Sequence, residues 1–518
     1  MAYIISVNAQ IISDSGGTCV CSTNDTCPTG TNADYDACVN DVRLDLITTT
    51  AGISALASFL MGLLANLPVG MAPGLGLNAY FAYSIVGFHG SGIISYREAL
   101  SAVFLEGWIF FILSILGLRQ WLVRIMPQSL VLAVGAGIGL FIAFIGLSSG
   151  GLGVIGGDPV NFVGLGGCLP QDMLDGFPGF CTHGVLRSPT MWLGLGIVLR
   201  HFRILTVLLM LYRVRGAILI GIFLISVVSW PRPTAVTYFP HTDTGDALFD
   251  YFKQVVTFHR LQKVGNVIDY HYGKGRVWYA LITFLYVDIL DTTSTLYSMA
   301  KFAGLRDPLT LDFENSTIAY CVDAFCISMG ALMGTSPVTA FIESTTGIIE
   351  GGKTGITAMV TGLCFLVSVF FAPIFASIPH GQQEGPSLSV VSVNWVYIGD
   401  AVPAFLTIII IPLSYNIAYG VIAGILSYLV LNGIPWIITR LSGGRIVPPS
   451  IKMSEKFIVP PGGLIPLWLR KLTGRVQEDE DTEVSLEVRG AGSSNEDTDA
   501  RSEKTDDGVS EQPKHIVR

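Results

Sequence analysis

Apolar stretches of about twenty residues recur along this chain, and a helix of that length crosses the hydrocarbon of a bilayer. Such stretches are 48–68, 97–118, 130–150, 191–212, 216–230, 277–300, 317–334, 354–378 and 390–431. The last holds three spans only if they are short and broken near Pro403 and Pro412. Two further stretches, 71–87 and 336–352, are less hydrophobic and rich in Gly and Pro. Of all residues 51% are hydrophobic and only 13% are charged, about half the usual globular share of charge. That balance excludes a soluble enzyme, a nucleic-acid binder and a disordered scaffold. No clustered His ligands, Ser/His/Asp set or phosphate loop points to enzyme chemistry, and no metal or organic cofactor is expected.

The net charge of −9 is unevenly placed. Residues 475–518 carry 13 acidic and 6 basic side chains, a net of −7, which leaves −2 for the first 474. The tail cannot bury a core and reads as disordered. Residues 1–440 read as the membrane domain, 441–474 as a basic juxtamembrane segment and 475–518 as the acidic tail.

Orientation follows the Lys/Arg bias. Arg119 and Arg124, Arg213 and Arg215, and Lys301 and Arg306 mark cytoplasmic loops, and the basic run from Arg440 to Arg475 places the C-terminus inside. Loops 148–189 and 379–389 hold one basic residue, Arg187, and face out; loop 231–276 breaks the trend. Cys19, Cys21, Cys27 and Cys38 fall in one outer loop and Cys168 and Cys181 in another, where pairing is expected but not specified. Asn24 heads a sequon in the first of these loops. Residues 1–10 are apolar, too short to span and without the charged start of a signal peptide. They read as the second half of a spanning helix, with an interfacial segment as the alternative.

An ionisable side chain inside a bilayer is a functional candidate by default. The candidates are Glu106, Asp288, Asp291, Asp323, Glu343 and Asp400. Asp288 and Asp291 share one helical face at i, i+3, where dry surroundings disfavour ionising both at once. Either can take up and release a proton, although Thr292, Thr293, Ser294 and Thr295 stand ready for a purely structural bond. Glu106 and Asp323 read as packing or capping residues, and Asp400 as a cap or a gate.

Two segments resemble each other: Ala72-Pro73-Gly74-Leu75-Gly76-Leu77-Asn78-Ala79-Tyr80-Phe81 and Thr335-Ser336-Pro337-Val338-Thr339-Ala340-Phe341-Ile342-Glu343-Ser344. Each has a Pro followed five or six positions on by a polar residue beside an aromatic. Broken segments in corresponding places of two halves point to an inverted-repeat transporter, whose half-helices would aim backbone N–H groups at a solute. The alternative is a pair of proline-kinked packing helices.

These two segments, with 284–298 and Pro403-Ala404-Phe405-Leu406-Thr407, resemble the AzgA-type purine permeases of the nucleobase–ascorbate transporter fold, and the similarity runs to about Trp468. The resemblance implies an all-α polytopic membrane protein with a 7+7 inverted repeat and two broken segments containing short strands. It implies a core of about 1–118 and 277–378 and a gate of about 129–230 and 388–440. It implies a proton symporter for adenine, guanine and hypoxanthine in the plasma membrane, with a homodimer expected and no nucleic-acid partner. The family's polar binding residues map onto Asn78, Asp288, Glu343 and, at a further remove, Asp400; with the residues' own chemistry the expected purine-binding residues are Asn78, Ala79, Asp288, Phe341 and Glu343, the proton-coupling residues Asp288, Asp291 and Glu343, and the gate residue Asp400. Stacking of Tyr80, Phe81 or Phe341 on the purine is a further expectation. Other planar solutes (xanthine, urate, a pyrimidine) and a transport-inactive sensor share the same residue types. The chain departs from the family pattern at its start, where the family has further residues, and at Arg200-His201-Phe202-Arg203 within the expected sixth span. There each Arg costs roughly 2.5–3.5 kcal/mol unless it faces a wet cavity. An erroneous reading of the gene is the other explanation.

Overall fold

The structure is a computed structural model. It describes residues 2–20, 33–119, 127–147, 208–305, 313–377 and 393–443, short gaps within the last three stretches apart. All of them belong to one compact unit, Met1–Pro461. Arg200–Arg203, Cys21, Cys27, Cys168, Cys181, the Asn24 sequon, Arg124, loop 379–389 and the acidic tail lie outside the described residues, as do most of 191–212 and of the juxtamembrane segment.

The architecture is helical. Helix α1 (Ala2–Ser13) buries Ile4, Ile5, Ile11 and Ile12 completely or nearly so. It ends in a turn through Gly16 and Gly17, both at positive φ, where a Cβ on Gly17 would meet Val42 at 2.7 Å. Cys19 and Cys38 form a disulfide across the link to α2 (Ala33–Leu60). Helix α2 runs on through a π-helical turn, Met61–Ala65, and stops at Asn66 in the left-handed region.

Strand β1 (Met71–Pro73) and helix α3 (Leu75–Ala79) follow, the latter continued by a π-helical turn, Tyr80–Ile85. After helix α4 (Tyr96–Ile115) come α5 (Gln128–Leu147), α6 (Ala217–Ser229), the short α7 (Asp243–Phe252) and α8 (Gly275–Phe302). The chain then forms α9 (Ser316–Leu332), β2 (Val338–Ala340), α10 (Ser344–Ile349), α11 (Gly355–Ser368) and α12 (Ala372–Ala376), and ends in α13 (Ile398–Ser414) and α14 (Ile417–Leu441).

The two Gly/Pro-rich stretches are thus broken segments, and they meet. β1 pairs antiparallel with β2 in the register Met71↔Ala340, Ala72↔Thr339, Pro73↔Val338. Pro73 lacks a donor, and the ribbon is completed around it: Gly74 N donates to Pro337 O and Phe341 N to Gly70 O. Met71 N donates to Ser58 Oγ, and Ser58 Oγ to Met71 O. Backbone outside a helix is tolerated at membrane depth only when satisfied in this way inside protein.

Close backbone crossings hold the surrounding helices. A Cβ on Gly355 would meet Gly62 O at 2.0 Å, and Asn66 Oδ1 accepts Gly355 N–H at the start of α11. A Cβ on Gly107 of α4 would meet Ser328 Oγ at 2.2 Å and Ala324 O at 2.7 Å on α9. These are the small-residue contacts by which helices approach in lipid. Helices α5, α13 and α14 pack on one another, and α5 also touches α3 and α8.

Two expectations change. Stretch 390–431 gives two helices, not three. Pro403 and Pro412 sit inside α13, towards its two ends, where few intrahelical bonds are lost; the break falls at Asn416, whose side chain caps α14 through Ala418 N. Arg119 is no loop charge: it is fully buried. Loop 231–276, with its Lys and Arg, lies at the disulfide end of the bundle. Asp45 Oδ2 accepts the backbone N–H of Gln262, Lys263 and Val264, His259 Nε2 stands 2.9 Å from Asp45 Oδ1, and Thr18 Oγ1 donates to Lys263 O.

Candidate functional site

Asn78 is fully buried on α3, and its Oδ1 accepts the hydroxyl hydrogen of Ser336, just before β2. Its Nδ2 has no hydrogen-bond partner among the described residues. Behind this pair lies Asn8 of α1, also fully buried, whose Nδ2 donates to Thr50 Oγ1 at 2.6 Å and Thr335 Oγ1 at 3.1 Å. Ser336 Oγ is 3.5 Å from Asn8 Oδ1. Helices α1, α2 and α3 and the lead-in to β2 therefore share one polar knot. Asn8 was absent from the sequence candidates because nothing local marks an Asn in an apolar helix as facing this knot.

β2 carries the chain to Phe341 and Glu343. Phe341 is almost buried and Glu343 half-buried. Glu343 lies close enough to Asp291 to act on it electrostatically. Asp288 is fully buried: Oδ1 accepts the Thr292 hydroxyl hydrogen, and Oδ2 has no partner among the described residues. One oxygen follows the structural reading, and the other stays available. Ala79, next to Asn78, is fully buried.

Some expected contacts are already taken. The Phe341 N–H is committed to Gly70 O, so it offers nothing to a solute in this conformation. Tyr80 and Phe81 are fully buried in an aromatic cluster: Tyr80 meets Phe284 edge-on at 5.6 Å, and Phe81 lies 6.0 Å from Phe284 and 5.7 Å from Tyr96. Phe341 alone of the three stands at the ribbon's end. Asp400, in the first turn of α13, accepts Ser129 Oγ–H of α5 at 3.4 Å, and no bond joins it to the Asn78 knot among those described.

A second buried group adjoins the first. Arg119 Nη2 donates to Asp323 Oδ2 of α9 at 2.8 Å, and its Nε lies 3.4 Å from Thr293 Oγ1 of α8. The guanidinium is sandwiched between Phe110 at 4.7 Å and Tyr320 at 4.8 Å. Glu106 of α4, fully buried, lies within electrostatic range of Asp288, Asp323 and Arg119. No group of His, Cys, Asp and Glu suited to a metal ion occurs among the described residues.

A permease-family profile, that of the xanthine and uracil permeases, matches residues 27–169 and 184–397. The efflux pump notK' of Aspergillus versicolor is 52% identical, over 94% of this chain and 87% of its own length. A Schizosaccharomyces pombe protein named for xanthine/uracil permease is 50% identical over 98% of this chain and 82% of its own. The guanine/hypoxanthine permease PbuO of Bacillus subtilis is 33% identical over 83% of this chain and 87% of its own. Among solved structures, the transmembrane domain of the cyanobacterium bicarbonate transporter BicA aligns over 82% of this chain and 96% of that one, at TM-score 0.47 and 14% identity.

Proposed function

This chain belongs to the nucleobase–ascorbate transporter family of permeases and is an integral, multi-pass membrane protein, and from that premise we propose that it is a proton-coupled symporter importing purine nucleobases by alternating access. The observation that carries this reading is the β1–β2 ribbon, which sets Asn78 and Glu343 at the two ends of one short, buried element. A purine is a flat apolar ring edged with N–H donors and ring-nitrogen acceptors. The free Nδ2 of Asn78 donates to a ring nitrogen or carbonyl, and Glu343 accepts N–H groups from the opposite edge. Ala79, too small to obstruct, lets the ring approach, and Phe341 covers one face, a contact worth roughly 1–3 kcal/mol by analogy with base stacking. A buried hydrogen-bonding site rejects rings that leave its groups unpaired.

Asp288, through its free Oδ2, takes the coupling proton, with Asp291 as its electrostatic neighbour and Glu343 acting in turn on Asp291. Coupling is reciprocal: the proton raises purine affinity and the purine raises proton affinity. The ribbon, α1–α4 and α8–α12 form the core of a 7+7 inverted repeat; α5, α13 and α14 belong to the gate, with Asp400 and Ser129 as a contact inside it. The protein resides in the plasma membrane with its C-terminus in the cytoplasm, as a homodimer, and needs no cofactor beyond the proton.

The test is uptake of labelled adenine and hypoxanthine by cells stripped of their own purine carriers, at acidic and alkaline outside pH and with a protonophore. Saturable uptake that acid favours, and that Glu343→Gln abolishes, is expected. Surface expression without uptake overturns the reading. The efflux name of the Aspergillus relative favours a second one, outward movement of a planar solute; loss of label from preloaded cells against its gradient selects it.

A further inference from the structure

Glu106 sits near the middle of the 20-residue α4, with none of its surface exposed and neither carboxylate oxygen hydrogen-bonded to a described residue. Buried polar atoms almost always have partners, so a carboxyl with two orphaned oxygens needs an explanation. The close crossing at Gly107 presses α4 against Ala324 and Ser328, which puts Glu106 at the α4–α9 contact.

The charges around it are uneven. α8 presents Asp288 and Asp291; α9 presents Asp323, beside Tyr320; Arg119 follows α4; and Glu343 acts on the group from the segment after β2. Within this set Glu106, Asp288 and Asp323 share one guanidinium, whose Nη2 is committed to Asp323, and Asp291 adds a fourth carboxyl beside Asp288. An ionised carboxylate without partners is very costly in a dry interior. Besides the two oxygens of Glu106, Asp288 Oδ2 and Asp323 Oδ1 lack a partner among the described residues, and Asp323 is the one already paired through its other oxygen with Arg119.

We propose that Glu106 is a proton-binding site of this permease, standing behind Asp288 and exchanging its proton with it. Once the two carboxyls are within hydrogen-bond distance, which they are not in this conformation, the O–H bond on Glu106 breaks and one forms on Asp288 Oδ2; the electron pair stays on Glu106, and the charge of the set is unchanged. The Arg119 guanidinium lies within electrostatic range of both carboxyls. Aspartate and glutamate thus act in series, so that Asp288 can face the purine while the proton waits on α4. The inference rests on the proton-coupled reading above and assigns that coupling a residue which sequence patterns marked as packing.

The experiment uses full-length protein in sodium-free liposomes, as wild type, Glu106→Gln and Glu106→Asp. Three quantities are read: hypoxanthine counterflow, accumulation driven by a pH gradient, and the infrared C=O stretch of a protonated carboxylic acid. Gln matches a neutral Glu in shape, so slowed but measurable counterflow is expected with Glu106→Gln. Gradient-driven accumulation falls to equal concentrations inside and out, the infrared band of the neutral acid disappears, and Glu106→Asp restores part of both. Wild-type accumulation ratios in Glu106→Gln, or an unchanged infrared band, overturn the proposal, as does wild-type accumulation that a pH gradient fails to drive and that appears only when a sodium gradient is imposed in a parallel preparation. If wild type moves no purine, the purine reading fails, while the infrared band still decides whether Glu106 holds a proton. If Glu106→Gln is inert in flux, the same band decides.

Discussion

Ser336 and Asn78, 258 residues apart in sequence, share one hydrogen bond in which the serine hydroxyl donates to the amide oxygen. The bond fixes the polarity of the amide: with Oδ1 engaged, Nδ2 is the end left for a solute. Ser336→Ala strands a buried acceptor, which costs roughly 1–3 kcal/mol. A rise of about 5- to 150-fold in purine Kd is therefore expected, since 1.4 kcal/mol is a factor of about ten. Isothermal titration or competition uptake reads it, and an unchanged Kd means that the solute does not depend on this orientation.

The buried pair Arg119–Asp323 gives a stability prediction. Removing one partner leaves an uncompensated buried charge, with a penalty of roughly 3–5 kcal/mol. Arg119→Met lowers the unfolding temperature of the detergent-purified protein, and Arg119→Met with Asp323→Leu recovers most of the loss. A double variant as unstable as the single one shows that the sandwich with Phe110 and Tyr320, rather than the charge, is what matters.

Gly62 and Gly355 touch through their backbones, where an added Cβ on Gly355 would stand 2.0 Å from Gly62 O. The listener at this contact is main chain and cannot turn aside, so Gly355→Ala forces α2 and α11 apart. Overpacking of this kind costs roughly 1–3 kcal/mol. Reduced yield of monodisperse protein in size-exclusion chromatography is expected; a wild-type profile counts against a close crossing.

At the end of α1, half-buried Asp14 accepts hydrogen bonds from Tyr83 at 2.8 Å and Gln10 at 2.8 Å. Burial pushes its carboxyl up from 3.8 to about 6, although these bonds and Arg43 oppose the rise. A raised carboxyl contributes stability that is complete below the unfolded value and is lost as pH rises through about 6. Wild type should thus lose stability relative to Asp14→Asn between pH 3.8 and about 6. Thermal unfolding of both proteins across that range measures the difference, and parallel curves refute it.

Local signals were enough for several of the helices and for the two breaks. Hydropathy puts spans at 97–118 and 277–300, against Tyr96–Ile115 and Gly275–Phe302 in the structure. Pro73 and Pro337 betray the interruptions because their effect on the backbone is local. Partnerships between distant residues were not legible. Arg119 reads as a loop charge under the Lys/Arg bias, since its ion-pair partner lies 204 residues away. Asn8 gains its meaning from Thr335, 327 residues on. Phe81 reads as a stacking candidate because sequence cannot show that Phe284 and Tyr96 already occupy its faces.

The ribbon also imposes an order on biosynthesis. Met71–Pro73 leaves the ribosome long before Val338–Ala340 exists, and Gly70 N must wait 274 residues for Ser344 Oγ. Unpaired main chain is costly in lipid, so the nascent first half needs a temporary partner. Ser58 is already there: 13 residues upstream, it both accepts from and donates to Met71. Its hydroxyl can hold the half-made segment in place during translation, and a chain cut short before residue 338 would present quality control with an open strand.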